Sequence, residues 1–141
     1  MVEIINRQNS YWLDLNYFKS LLKKLIDYYK LKNSELSLVF VNTKEIIRLN
    51  IKYLNKKKPT DVLSFPINEK SPDGKYYLGD IVISVPQAFK QCFHKSHGLE
   101  KEVQKLTIHG FLHLLGYDHS SRMDKEEEKL KNLLSKENHG S

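Results

Sequence analysis

Residues 99–119 read LEKEVQKLTIHGFLHLLGYDH, and this stretch organises everything around it. From Leu99 to about Leu115 the pattern predicts a helix. His109 and His113 are four apart, which on a helix puts both rings on one face, about 6 Å apart along the axis. Two imidazoles so placed can share one ion at the roughly 2.0–2.1 Å that zinc requires. Gly116 falls where that helix should stop, because glycine takes the left-handed conformation that turns a chain off a helix end. The turn can carry His119 back over the same ion. Three histidines leave a fourth position open, the arrangement of a catalytic rather than a structural zinc. Chance adjacency explains one histidine better than it explains three at this spacing followed by a glycine. Phe111, Leu112, Leu114 and Leu115 supply an apolar wall to anchor the helix and shield the metal.

The ligand spacing equals that of the H-E-x-x-H-x-x-G-x-x-H site of metzincin proteases. Gly110, however, stands where the protease carries its glutamate general base. Without that proton acceptor, peptide hydrolysis is disfavoured. Asp118 is the nearest carboxylate able to substitute; its other reading is a turn residue or a group that orients a histidine. His97, before Gly98, reads as a helix-end residue interacting with the dipole. His94 does not fit the cluster, and neither does His139, in a polar tail expected to be loose over 136–141.

Outward from this helix, the chain alternates strands and helices. Val2 to Asn6 reads as a short strand. Leu15, Phe18, Leu21, Leu22, Leu25, Ile26 and Tyr29 recur at helical spacing between about Leu13 and Tyr29. Glu35 to Val41 alternates, with Leu36, Leu38 and Phe40 on one side and Val39 and Val41 on the other. Thr43 can cap a helix running to about Tyr53. Val62 to Phe65 reads as a strand ended by Pro66. Ser71-Pro-Asp-Gly74 is a turn, and Tyr76 to Ile83 returns as a hairpin partner. Pro86 suits the first turn of a helix over Gln87 to His94. A last helix spans about Asp124 to Leu134. The order predicts one α+β domain over residues 1–141, a mixed four-stranded sheet flanked by about five helices, with the zinc helix resembling that of metalloproteases.

Bulk properties set the class. The 141 residues suffice for one domain with a core; 40% are hydrophobic and 28% charged. No run approaches the roughly 20 apolar residues of a membrane span, and the first residues lack an export pattern. The single cysteine, Cys92, cannot form an internal disulfide and reads as a small buried residue. These features predict a cytoplasmic protein with no membrane partner. The formal net charge of +6 favours polyanionic partners, and becomes informative where lysines border a catalytic site.

The sequence resembles the YbeY family of rRNA maturation endoribonucleases. Its signature, H-G-x-L-H-L-x-G-Y-D-H, is matched at every fixed position from His109 to His119. A second family motif, P-T-D-V-L-S-F-P, runs intact from Pro59 to Pro66. A third, L-G-D-I, occupies Leu78 to Ile81 and is followed by an apolar strand and Ser84. The resemblance implies a small sheet flanked by helices, and one zinc ion per chain held by His109, His113 and His119. It further implies a single-strand-specific endoribonuclease acting on rRNA, notably at the 3′ end of the small-subunit rRNA. Action in ribosome quality control and association with small-subunit components follow from the same likeness. One position departs: the family carries Tyr-Arg ahead of its second motif, and here Tyr53 precedes Leu54. An apolar Leu54 removes a phosphate clamp. Lys52, Lys56, Lys57 or Lys58 would compensate, without the bidentate fork of arginine, and Lys56, Lys57 and Lys58 are the candidate RNA-binding residues. Competing readings are a zinc hydrolase of peptides or small amides, and a non-catalytic ribosome assembly factor.

Overall fold

The computed structural model describes residues 1–95, 97–118 and 121–139, with side chains only as far as Ser135. The elements are β1 (Val2–Asn6), α1 (Leu15–Tyr28), β2 (Ser34–Val41), α2 (Thr43–Leu54), β3 (Val62–Lys70), β4 (Tyr76–Ser84), α3 (Val85–Cys92), α4 (Leu99–Leu114) and α5 (Ser121–His139). The four strands form one sheet in the order β1-β2-β4-β3. β1 and β4 run parallel to β2, while β3 runs antiparallel to β4.

The alternation in β2 sorts the two faces as the sequence predicts. Leu36, Leu38 and Phe40 join Ile81 and Ile83 of β4 in the main core, with Phe18, Leu22 and Leu25 of α1, Phe111 and Leu112 of α4, and Leu130 of α5. Val39 and Val41 point the other way, into a smaller core with Leu63, Val82 and Ile46 of α2. The sheet is therefore thickly covered on the α4 side and thinly on the other.

Several boundaries differ from the sequence reading. The cap of α2 is Asn42, not Thr43: its side chain accepts from the Glu45 N–H at 2.9 Å, and asparagine is the stronger capping residue. β3 does not end at Pro66 but continues to Lys70. It lies at the sheet edge, where a missing backbone donor is tolerated, and its pairing with β4 is irregular between Pro66 and Glu69. Helix α3 starts earlier than Gln87 because Ser84 caps it, accepting from the Gln87 N–H. Helix α5 outruns Asp124–Leu134 at both ends: buried Met123 extends its apolar stripe at the start, and Lys136 and Glu137 beyond Leu134 are good helix formers although they lack apolar periodicity. Its backbone is helical as far as His139.

Candidate active site

Helix α4 is held against the sheet at unusually short range. A Cβ on Gly110 would lie 2.6 Å from Ile81 Cγ2 and 3.1 Å from Ser64 Oγ. No side chain fits there without displacing a core residue of β4. Ser64, from the PTDVLSFP stretch, donates to the Gly110 carbonyl at 3.2 Å, which ties β3 to the same point. Gly79 meets a similar demand from the sheet side. Its φ is +144°, and a Cβ there would lie 2.3 Å from the Phe65 carbonyl oxygen and 2.9 Å from Leu114 Cδ2. The glycines of two separate motifs thus mark where α4 and the β3–β4 hairpin touch.

The other end of α4 closes as predicted. Gly116 has φ +96°; its N–H donates to the His113 carbonyl and the Tyr117 N–H to that of Leu112. This pair of bonds is a Schellman termination, which satisfies carbonyls the helix would otherwise leave open.

On the face of α4 turned towards α5, His109 and His113 converge. Their ring centroids are 4.7 Å apart and their Nε2 atoms 3.2 Å apart. On the far side of the ring, His109 Nδ1 lies 2.6 Å from Glu127 Oε1, both side chains being about a quarter exposed. A carboxylate accepts, so Nδ1 of His109 carries the proton, and in the neutral ring Nε2 is then the nitrogen that offers a lone pair. That is the tautomer a metal-ligating imidazole needs, held by the carboxylate–histidine pairing common behind such ligands. Two nitrogens about 2.05 Å from one tetrahedral ion sit about 3.3 Å apart. The Nε2 separation in this protein matches that edge, so the pair fits zinc chemically and geometrically. Among the described residues no group of three His, Cys, Asp or Glu side chains assembles around an ion. His119, the third ligand in the sequence reading, lies outside the described residues.

Glu127 is the residue that sequence reasoning missed. It sits in the run Lys125-Glu-Glu-Glu-Lys129, where no local feature favours one glutamate over its neighbours. Helix packing separates them: Glu126 accepts from the Tyr29 hydroxyl, whose pKa is driven up by burial and by that bond. A signal did exist. Met123, Leu130 and Leu134 are buried, and Glu127 falls on the same helical stripe, a charged residue where an apolar one is expected.

The remaining candidates scatter. Asp118 is exposed and lines a shallow cleft with Gly116, Tyr117 and Arg122. Lys56, Lys57 and Lys58 are exposed in the α2–β3 loop, which is tied down by the Asn50 side chain donating to the Lys58 carbonyl. None of the three lines the cleft beside Glu127. Leu54 ends α2, half exposed. Cys92 is buried and unpaired, as read. His97 is not at a helix C-terminus; it precedes α4 and meets Glu102 Oε1 at 2.7 Å, with Lys95 Nζ 3.0 Å from both Glu102 oxygens. The Glu102 side chain is 0% exposed. Burial alone would raise its pKa, but the bonds from His97 and Lys95 outweigh it and hold the carboxyl below its usual range.

The model of the family described as endoribonuclease YbeY matches residues 3–137. The chain belongs to that family. Similar relatives include the endoribonuclease YbeY of Persephonella marina, 43% identical over 111 residues, covering 78% of this chain and 72% of the relative. That of Oceanobacillus iheyensis is 45% identical over 122 residues, with 77% of each chain covered. Among solved structures, the solution structure of TM1509 from Thermotoga maritima superposes with a TM-score of 0.62 at 27% identity, covering 92% of this chain and 86% of that one. Its likeness agrees with the fold described above. Among the described residues no helix is long and apolar enough to cross a membrane.

Proposed function

We propose that this protein is a zinc-dependent, single-strand-specific endoribonuclease that matures the 3′ end of small-subunit rRNA and serves ribosome quality control in the cytoplasm. Membership of the endoribonuclease YbeY family supports RNA as substrate. The observation that carries the metal is the His109–His113 pair, with Nε2 atoms at tetrahedral-edge distance and a carboxylate behind one ring. His119 is the third ligand in this reading. Zinc bound there would supply Lewis acidity towards a phosphodiester near neutral pH.

The chain's own residues divide the remaining work. Glu127 keeps the His109 proton on Nδ1 and fixes the ring plane. Gly110 and Ser64 fix the helix that carries both rings. Asp118, exposed just beyond the helix end, is the proposed proton acceptor. Lys56, Lys57 and Lys58 contact backbone phosphates as point charges, alongside small-subunit components that present the RNA. Peptide hydrolysis loses ground, because the position of the protease's glutamate is a glycine with no space for a side chain.

Metal analysis paired with cleavage of end-labelled RNA tests this reading. The purified protein should carry about one zinc per chain and cut a single strand but not its duplex. Chelation, or His113→Ala, should abolish both zinc and cutting. Normal cleavage by zinc-free His113→Ala would overturn the assignment; tight rRNA binding without cutting would favour the assembly-factor reading.

A further inference from the structure

Away from the histidines, one surface combines features the proposed chemistry does not use. Trp12 and Phe93 are the two most exposed aromatic side chains among the described residues, at 82% and 71%. Phe93 ends a continuous row of rings, Tyr11 lying 4.8 Å from Phe89 and Phe89 4.7 Å from Phe93, and Trp12 follows Tyr11 in the chain. The backbone beneath is pinned. Gln8, itself 9% exposed, donates to the Tyr11 carbonyl at 2.8 Å and accepts from the Tyr11 N–H at 3.0 Å. Trp12 is thus presented to water from a fixed segment.

No acidic residue occurs from Arg7 to Leu13 or from Val85 to Leu99, whereas Arg7, Lys90 and Lys95 do; Arg7 is paired with Glu45 and Lys95 with Glu102. The acids that approach from other elements are engaged: Asp61 accepts from Gln91, and Glu102 is buried against Lys95 and His97. Glu100 faces Tyr17. His97 also lines a cleft between α4 and α5, together with Lys101, Lys105 and Lys131 and the carboxylates of Asp124, Glu127 and Glu128. Lys101, Lys105, His109 and His113 form one i, i+4 row on α4. From Lys101 to His109 that row covers about 12 Å. The cleft therefore reaches the carboxylate that lies against His109.

We infer that Tyr11, Trp12, Phe89 and Phe93 form a stacking platform for unpaired bases of the RNA strand beside the cut. This rests on the endoribonuclease reading above. Exposed rings with cationic neighbours suit sequence-tolerant stacking on single strands. A protein partner would need a broader continuous apolar area than two exposed rings set among Gln8, Asn9, Ser10, Lys90 and His94.

Trp12 is the only tryptophan, so its fluorescence reports this surface alone. The full-length His113→Ala variant, which should bind without cutting, is titrated with a single-stranded decamer of uridine while anisotropy of the labelled RNA reports total binding. Saturable quenching of Trp12 is expected at the same midpoint as the anisotropy change. Adding Phe93→Ala should weaken both about tenfold, and Phe93→Tyr should restore them. In the otherwise native enzyme, Phe93→Ala should raise KM about as much with kcat unchanged. RNA binding with silent Trp12 fluorescence, or an unaltered affinity in Phe93→Ala, overturns the platform and leaves the nuclease reading intact. Trp12 emission that depends on protein concentration and ignores RNA assigns the rings to a second copy, and also overturns it. Absence of any RNA affinity sinks the nuclease reading as well.

Discussion

The two sides of α4 are built on opposite principles. Towards the sheet, Val103, Thr107 and Phe111 are fully buried, and at Gly110 the approach is too close for even one carbon. Towards α5, Lys101 and Lys105 are exposed and His109 and His113 keep part of their surface in solvent. The close-packed side has no freedom, and the open side borrows that rigidity. Two imidazole nitrogens can be held 3.2 Å apart on a partly wet surface because the helix beneath them cannot shift. A binding constellation on an element locked from behind needs little support of its own.

Gly110→Glu attacks the locked side most directly. It places a carboxylate where Ile81 Cγ2 lies 2.6 Å from a bare Cβ, adding overpacking to an unpaired buried charge. A loss of more than about 4 kcal/mol is expected, lowering the melting temperature by more than about 10 °C. A variant as stable as the native chain would show that α4 is free to move, and the contrast between its sides would collapse.

A smaller effect is expected at the buried first turn. Glu102→Gln removes the charge that answers Lys95 and His97. Because both partners keep some exposure, the loss at pH 7 should be about 2 kcal/mol, below the roughly 3–5 kcal/mol of a fully buried broken pair. The carboxyl is held below its ordinary range in the folded protein. Its contribution is therefore present above the unfolded value of about 4.3 and disappears as pH falls through the depressed folded value. Urea melts from pH 7 to 3 should show native and variant stabilities converging at the acid end; a gap constant with pH would contradict the assignment.

Glu127→Gln sharpens the comparison from the open side. Zinc affinity, read by competition with a chromogenic chelator, should fall about ten- to hundredfold, while the metal-free melting temperature moves by little. A large stability loss with unchanged zinc affinity would make Glu127 a structural strut instead.

How much of this was legible beforehand depended on whether the cue was local. The alternation in β2 sorted Leu36, Leu38 and Phe40 from Val39 and Val41 correctly, because a strand's period of two is written in consecutive residues. Gly116 disclosed the helix end for the same reason. Ser64 and Gly110 were visible only as members of motifs; that one bonds the other is a tertiary fact spanning 46 positions. Glu127 was passed over because choosing among three adjacent glutamates requires the rotation of α5, which its buried stripe encodes but its composition hides. Asn42 and Thr43 are both capping residues, so their spacing could not rank them. Pro66 read as a stop because a proline interrupts a ladder in any strand but an edge one; the place of β3 at the sheet edge is set by strand order, which neighbouring residues do not reveal.

That edge has a consequence for the protein in a crowded solution. A nine-residue border strand offers a free ladder on which another polypeptide can extend the sheet, the first step towards fibrils. In β3 the ladder is spoiled in mid-course: Pro66 lacks a donor, Asn68 bends the backbone at φ 54°, and exposed Glu69 and Lys70 follow. An incoming strand would lose register within a few residues, so the irregularity that misled the sequence reading also protects the folded chain from its neighbours.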